Sequence, residues 1–408
     1  SNTHEGILHN PQPSTMSSSG NANYLTFCPS GTKVFLICLK QSAGKRSVMS
    51  QKIDQFLSAQ NVPGVVALGT TATNTIYEGA FGMTNTETKS AINIDTPHAI
   101  MSMTKPITSF AIMQLVESGK IDLDAPATDY ISRYQGLVVL DQVNLANKSY
   151  TTGALERNFS IRHLLTHTAG FGYTFCNDTL YGLRPAAEKD DFPLLHQPGE
   201  LWSYGIATRI LGEIVAKVTG KDLGKALKQM IFDPLEMRAT GFDTKENQAY
   251  PHHRSENGWT PAKHFPSIPL GDGGLISTVR DYGKFLRCLL QKGVPLLRET
   301  TYQLMVTNQI GALTIQTQPA ANKALTHPFP KGAGVDKWGL GFQIHTTQNE
   351  GMRSPGSYSW CGLLNTYFWG DPVRQVGGIV LMQALPFYEQ VCLDTLDGFE
   401  RRFYELVD

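Results

Sequence analysis

The chain has 408 residues, enough for two domains or for one α/β domain with large insertions. With 41% hydrophobic and 17% charged residues, it has the composition of a globular protein that buries a large core. Its 35 basic residues balance 35 acidic ones, and the zero net charge argues against nucleic acid or an anionic membrane surface as the main partner.

Residues 1 to about 48 are dominated by Ser, Asn, Gly, Thr and Pro, with one short apolar run at Val34 to Leu39. They read as an N-terminal extension of disorder-prone composition, ahead of a folded domain over residues 49–408. Past Met49, the spacing of Ile53, Phe56 and Leu57 predicts a helix. Val62 to Gly69 predicts a turn into a buried strand, and Thr75 to Gly82 its hairpin partner. Ser102 to Ser118 predicts a largely apolar, buried helix that Gly119 ends. Residues 120 to about 270 read as helical pieces, at Ile161 to Thr166, Ala207 to Thr219 and Leu223 to Phe232. Leu275 to Gly293 predicts a further helix, Gly341 to His345, Leu364 to Trp369 and Gly377 to Gln383 strands, and Thr395 to Leu406 a last helix. The predicted fold is therefore α/β (α+β). An antiparallel sheet built from both chain ends is flanked by helices, and an all-helical region is inserted at about 120–270.

The run Ser102-Met103-Thr104-Lys105 carries the chemistry. A serine hydroxyl is a poor nucleophile at neutral pH and needs an adjacent base. On a helix, positions i and i+3 share a face, so Lys105 reaches the Ser102 oxygen. Pro106 is tolerated only in the first turn, which places the helix start, and its favourable dipole end, close to Ser102. Apolar neighbours such as Met103 and Ile107 predict a desolvated lysine with a depressed pKa.

With this motif in place, the chain resembles the serine β-lactamase and penicillin-binding protein superfamily, class C-like branch. Ser102-Met103-Thr104-Lys105-Pro106 matches its first motif, and Ser160 to Gly170 resembles a diagnostic segment of the branch. Gln197 to Tyr204 with Leu211 to Val215 resembles the stretch around its second motif. Gly273 to Thr278, followed by Asp281-Tyr282, completes five ordered matches from about residue 50 to the C-terminus. The resemblance implies that Tyr204 is the second-motif tyrosine, a proton relay between Ser102, Lys105 and the leaving group. It implies an oxyanion hole made by the backbone N–H groups of Ser102 and Leu363.

Two departures from the β-lactamase pattern concern the substrate. Gly205-Ile206 follow Tyr204, where an asparagine would contact a β-lactam side chain. Ser359-Trp360-Cys361-Gly362 stands where Lys-Thr-Gly is expected, with Trp360, Cys361 and Gly362 as substrate-binding positions. A tryptophan there resembles the family VIII carboxylesterases and the statin-type acyltransferases, and it suits an ester with an uncharged acyl group. Cys361 is read as a packing residue, since no basic neighbour is evident to activate it.

The expected function is a serine hydrolase with an acyl-enzyme on Ser102, a carboxylesterase or acyltransferase acting on a small-molecule ester or amide. The alternatives are a β-lactamase or D-amino-peptide hydrolase, and a non-catalytic binding protein of the same fold. No cofactor and no metal are expected. His163 and His167 have zinc-ligand spacing without the glutamate of the metalloprotease motif, and they read as structural. Six cysteines, Cys28, Cys38, Cys176, Cys288, Cys361 and Cys392, lack any Cys-x-x-Cys spacing. They predict free thiols in a reducing, cytoplasmic setting, or a periplasmic or secreted location if a signal peptide precedes this sequence. No run approaches the ~18 apolar residues of a membrane span.

Overall fold

The computed structural model describes residues 42–408, with side chains from residue 48 onward. The run Val34 to Leu39, Cys28 and Cys38 lie outside the described residues. Gly44–Asp408 forms one compact unit.

An antiparallel sheet of eight strands is drawn from both chain ends. In spatial order it runs Lys337–Trp338, Gln343–Ile344, Tyr358–Gly362, Thr366–Asp371, Val376–Leu381, Gly64–Thr71, Thr75–Asn85 and Ser90–Ala91. The predicted hairpin is present, with Val66 opposite Ala80, and its first strand also pairs with Val376–Leu381. Gly64–Thr71 is buried along its length because both faces of the sheet are covered. Helix Val279–Leu290 packs on one face, and the C-terminal helix Gln390–Val407 covers the other through Phe399 and Phe403. The predicted apolar helix runs over Thr104–Glu117 and is buried on nearly every side. It packs against the amphipathic helix Ala207–Thr219.

Three expectations need correction. The inserted region is not all-helical. It carries the hairpins Val139–Asn144 with Ser149–Gly153, and His252–Ser255 with Gly258–Pro261. Their strands are short and largely exposed, so they lack the alternating apolar pattern that marks a core strand in a sequence. The helix expected from Leu275 begins only at Val279. Ile276–Ser277 instead pairs as a strand with His98–Ala99, and the Thr278 side chain caps the helix by accepting from the Asp281 N–H at 3.2 Å. The segment expected as a helix from Leu223 to Phe232 is α-helical only to Leu227 and continues as a π-helix over Lys228–Phe232.

Candidate active site

Ser102 lies in a 3-10 turn, Met101–Met103, that feeds directly into the helix Thr104–Glu117. Met101 has φ +47°, a left-handed conformation uncommon for a side-chain-bearing residue. The residues around it are tied down. The Ile100 carbonyl accepts from Thr366 Oγ1 at 3.1 Å, and the Ile100 N–H donates to the Leu275 carbonyl at 3.0 Å. Tyr282 Oη donates to the Met103 carbonyl at 3.0 Å, on the other side of Ser102. Gly362 presses against this turn, since a Cβ there would meet the Ile100 carbonyl oxygen at 2.3 Å and Met101 Cβ at 3.1 Å. The glycine of the third motif is thus required by the closeness of the strand to the serine turn.

Lys105 is 1% exposed. Its ammonium Nζ donates to Ser102 Oγ at 2.9 Å, to Tyr173 Oη at 2.9 Å and to the Asp272 carbonyl at 2.7 Å. Burial lowers its pKa to about 8; the Asp272 charge pulls it upward and the Arg209 charge pushes it further down. The neutral amine is therefore accessible near physiological pH.

Tyr204 and Trp360 line the cleft beside Ser102. Trp360 Nε1 donates to Tyr204 Oη at 3.2 Å, and the two rings are 5.0 Å apart. Lys105 Nζ sits 4.8 Å from the Tyr204 ring centroid. Burial holds the Tyr204 phenol well above its usual pKa, while a hydrogen bond with Ser102 pulls part of the way back. Tyr204 is thus a phenol at neutral pH, not a phenolate. His167 and Trp202 pack against it, Trp338 packs against Trp360, and burial keeps His167 neutral. Gly205 admits this loop. A Cβ there would lie 2.4 Å from Gly172 Cα, so the absence of a side chain after Tyr204 lets the Tyr173 and Tyr204 loops touch.

The cleft at Ser102 is narrow and is lined by Phe175, Tyr204, Phe329, Trp360, Cys361, Leu363 and Phe387. No cation is among these residues. The structure therefore brings together all the residues singled out in the sequence, Ser102, Lys105, Tyr204, Trp360, Cys361 and Leu363, with Gly362 against the serine turn. Cys361 is buried, and burial pushes its thiol pKa upward, away from reactivity. His163 completes a helix cap: its Nδ1 accepts from the Ser160 N–H at 3.1 Å while its own N–H donates to Ser160 Oγ at 3.2 Å. Among the described residues, no cluster of His, Cys, Asp or Glu is arranged to hold a metal ion. None of the described helices is long and apolar enough to cross a membrane.

Three residues of the centre escaped the sequence reading. Tyr173 donates its hydroxyl hydrogen to Asp272 Oδ2 while accepting from Lys105. Asp272 is gripped by Arg209, Nε to Oδ1 and Nη2 to Oδ2, both at 3.2 Å. The signal was faint but present. Tyr173 lies just past the Ser160–Gly170 segment, and Asp272 is a lone acid inside Gly271-Asp272-Gly273-Gly274.

A serine on the first turn of a buried helix, a lysine desolvated against it and a sheet strand closing the cleft define a hydrolase of the serine type. A family model described as Beta-lactamase matches residues 49–398, and the chain belongs to that family. ML-236A carboxylate methylbutanoyltransferase mlcH of Penicillium citrinum is 25% identical over 402 residues, covering 90% of this chain and 96% of the relative. Esterase EstB of Burkholderia gladioli is 30% identical over 239 residues, 54% of this chain and 58% of the relative. In fold, a LovD6 mutant of simvastatin synthase from Aspergillus terreus superposes with a TM-score of 0.77 at 24% identity, covering 89% of this chain and 98% of that one.

Proposed function

We propose that the protein is a carboxylesterase or acyltransferase for small, uncharged acyl esters, working through an acyl-enzyme on Ser102. The observation that carries this reading is the buried Lys105, 2.9 Å from Ser102 Oγ and with a pKa lowered to about 8. Neutral Lys105 takes the Ser102 proton as Oγ attacks the ester carbonyl. The backbone N–H groups of Ser102 and Leu363 receive the developing oxyanion, helped by the positive end of the Thr104–Glu117 helix. Tyr204, kept as a phenol and oriented by Trp360, passes a proton to the departing alkoxide and is replenished from Lys105. Water or an alcohol then attacks the acyl-enzyme by the reverse sequence, releasing the acid or a new ester.

The substrate side rests on Trp360. It fills the place of the third-motif lysine, and the cleft lining carries no cation that would pair with a β-lactam carboxylate. The names of two relatives, a methylbutanoyltransferase and an esterase, agree with ester chemistry.

The test is covalent labelling by a fluorophosphonate, read by peptide mass spectrometry, together with hydrolysis of p-nitrophenyl butyrate. One adduct on Ser102 is expected, and Ser102→Ala is expected to lose ester turnover by ~10³-fold or more. Full turnover in Ser102→Ala would refute the mechanism. Nitrocefin hydrolysis at a rate comparable to the ester would refute the substrate assignment and favour a β-lactamase or D-amino-peptide hydrolase.

A further inference from the structure

Lys105 has three hydrogen-bond partners, and they differ in what they permit. The Asp272 carbonyl can only accept. Ser102 and Tyr173 are hydroxyls and can either accept or donate. A protonated Lys105 has three N–H groups and satisfies all three partners. A neutral Lys105 has two N–H groups and one lone pair, and catalysis requires that lone pair to face Ser102. If the Tyr173 hydroxyl turned its proton toward Nζ, it would occupy the lone pair and leave Ser102 facing an N–H.

The structure removes that option. The Tyr173 proton is committed to the Asp272 carboxylate, so Tyr173 can only accept from Lys105. The carboxylate is 4% exposed and pinned by the paired contacts from Arg209 at 3.2 Å. Two N–H groups of neutral Lys105 are then consumed by Tyr173 Oη and the Asp272 carbonyl, and the lone pair is left for Ser102. From this geometry we infer that Asp272, clamped by Arg209, is a positioning residue that sets the direction of the Tyr173–Lys105 hydrogen bond and so aims the base at the nucleophile. One residue acts twice, through its main-chain carbonyl on Lys105 and through its carboxylate on Tyr173. This deepens the proposed function and rests on Ser102 and Lys105 acting as described there. Tyr173 and Tyr204 then have separate tasks. The first is locked by a carboxylate, and the second accepts from Trp360 and keeps its own proton free for relay.

The groups facing Lys105 also set its titration. Ser102, Tyr173 and Asp272 hydrogen-bond to it, Arg209 and Asp272 act by charge, and Cys176 and Cys361 lie nearby. Tyr204 lies under it, and His167 feels its charge. Replacing the Asp272 carboxylate by an amide removes the charge that raises the Lys105 pKa, so the base form persists to lower pH.

The experiment is a double-mutant cycle with Asp272→Asn and Tyr173→Phe. It reads the burst rate of p-nitrophenol release and the acyl adduct on Ser102, on the pH plateau above the Lys105 titration. Asp272→Asn is expected to slow acylation about 10- to 100-fold, because the amide has a single, uncharged acceptor oxygen for which Arg209 and Tyr173 compete, and this loosens the Tyr173 proton so that it can turn toward Lys105. In the Tyr173→Phe background, where no such proton exists, Asp272→Asn is expected to add less than about a twofold further loss. The acid limb of the profile is expected to move to lower pH in both backgrounds, reporting charge alone. Equal losses from Asp272→Asn with and without the Tyr173 hydroxyl would overturn the inference. If Asp272→Asn does not fold by thermal melting, Arg209→Gln takes its place in the same cycle with the same two outcomes. A wild-type enzyme that forms no Ser102 adduct would refute the catalytic reading itself, separately from this one.

Discussion

Ser102 and Ser359 are each hydrogen-bonded to a basic side chain, in different surroundings. Ser102 Oγ lies 2.9 Å from Lys105 Nζ, on a helix start beside the cleft. Ser359 Oγ lies 2.8 Å from His345 Nε2, and His345 Nδ1 lies 3.1 Å from Asp336 Oδ2. On hydrogen bonds alone the second group has the order of a Ser-His-Asp triad. Its surroundings differ. Ser359 sits inside a strand paired on both sides, opposite Gln343 and Trp369, so its main chain is engaged in the ladder. The His345 Nε2 that would receive its proton already accepts from Arg353 Nη1 at 3.1 Å. Arg353 is itself held by Glu400, Nε to Oε1 at 2.9 Å and Nη2 to Oε2 at 2.6 Å. The second cluster ties the Tyr358–Gly362 strand to the C-terminal helix. The two clusters share a serine beside a base and differ in backbone placement and in what else occupies the base, and the proposed mechanism places reactivity in that difference.

Removing each base tests this most sharply. Lys105→Met is expected to lower ester turnover by ~10²–10⁴-fold and to slow fluorophosphonate labelling of Ser102 in parallel. His345→Gln is expected to change turnover by less than about threefold, since its polar contacts run to Ser359, Arg353 and Asp336 and not to Ser102 or Lys105. A comparable loss in both variants would abolish the distinction.

Stability should show the reverse ranking. Glu400→Ala leaves the Arg353 guanidinium buried without its partner and is expected to cost about 3–5 kcal/mol in urea denaturation. A cost below about 1 kcal/mol would mean that water reaches the cluster and that it does not hold the strand.

The pH profile separates the two bases further. Burial lowers the Lys105 pKa to about 8, so the reactive neutral form is lost as pH falls through that value. kcat/KM is therefore expected to rise about tenfold per pH unit below pH ~8 and to level off above it. Burial also holds His345 below its usual pKa, on the acid side of the Lys105 value. A profile flat from pH 6 to 9 would remove Lys105 as the base.

The smallest expected effect is that of Ser359→Ala. It forfeits one hydrogen bond, about 1 kcal/mol, while His345 keeps its contacts to Asp336 and Arg353. Ester turnover and Ser102 labelling should be unchanged in this variant.

What could be read from the sequence was local. The i, i+3 relation of Ser102 and Lys105, the proline that forces an early helix start and the period-2 and period-3.6 runs of the main elements all lie within one helix or strand. The order of the motifs along the chain then identified the family, and with it Tyr204 and the Trp360-Cys361-Gly362 strand. The exposed hairpins at Val139–Gly153 and His252–Pro261 escaped because they bury too little to impose a pattern. The depth of the Lys105 pKa shift, the left-handed Met101 and the Tyr173–Asp272–Arg209 clamp belong to the tertiary structure alone. Lys105 and Asp272 are 167 residues apart, and Lys105 and Tyr173 are 68 apart. No local propensity encodes such contacts. They exist because the inserted region and the loop at residues 271–274 fold back onto the helix Thr104–Glu117 and bury Lys105, and that burial lowers its pKa.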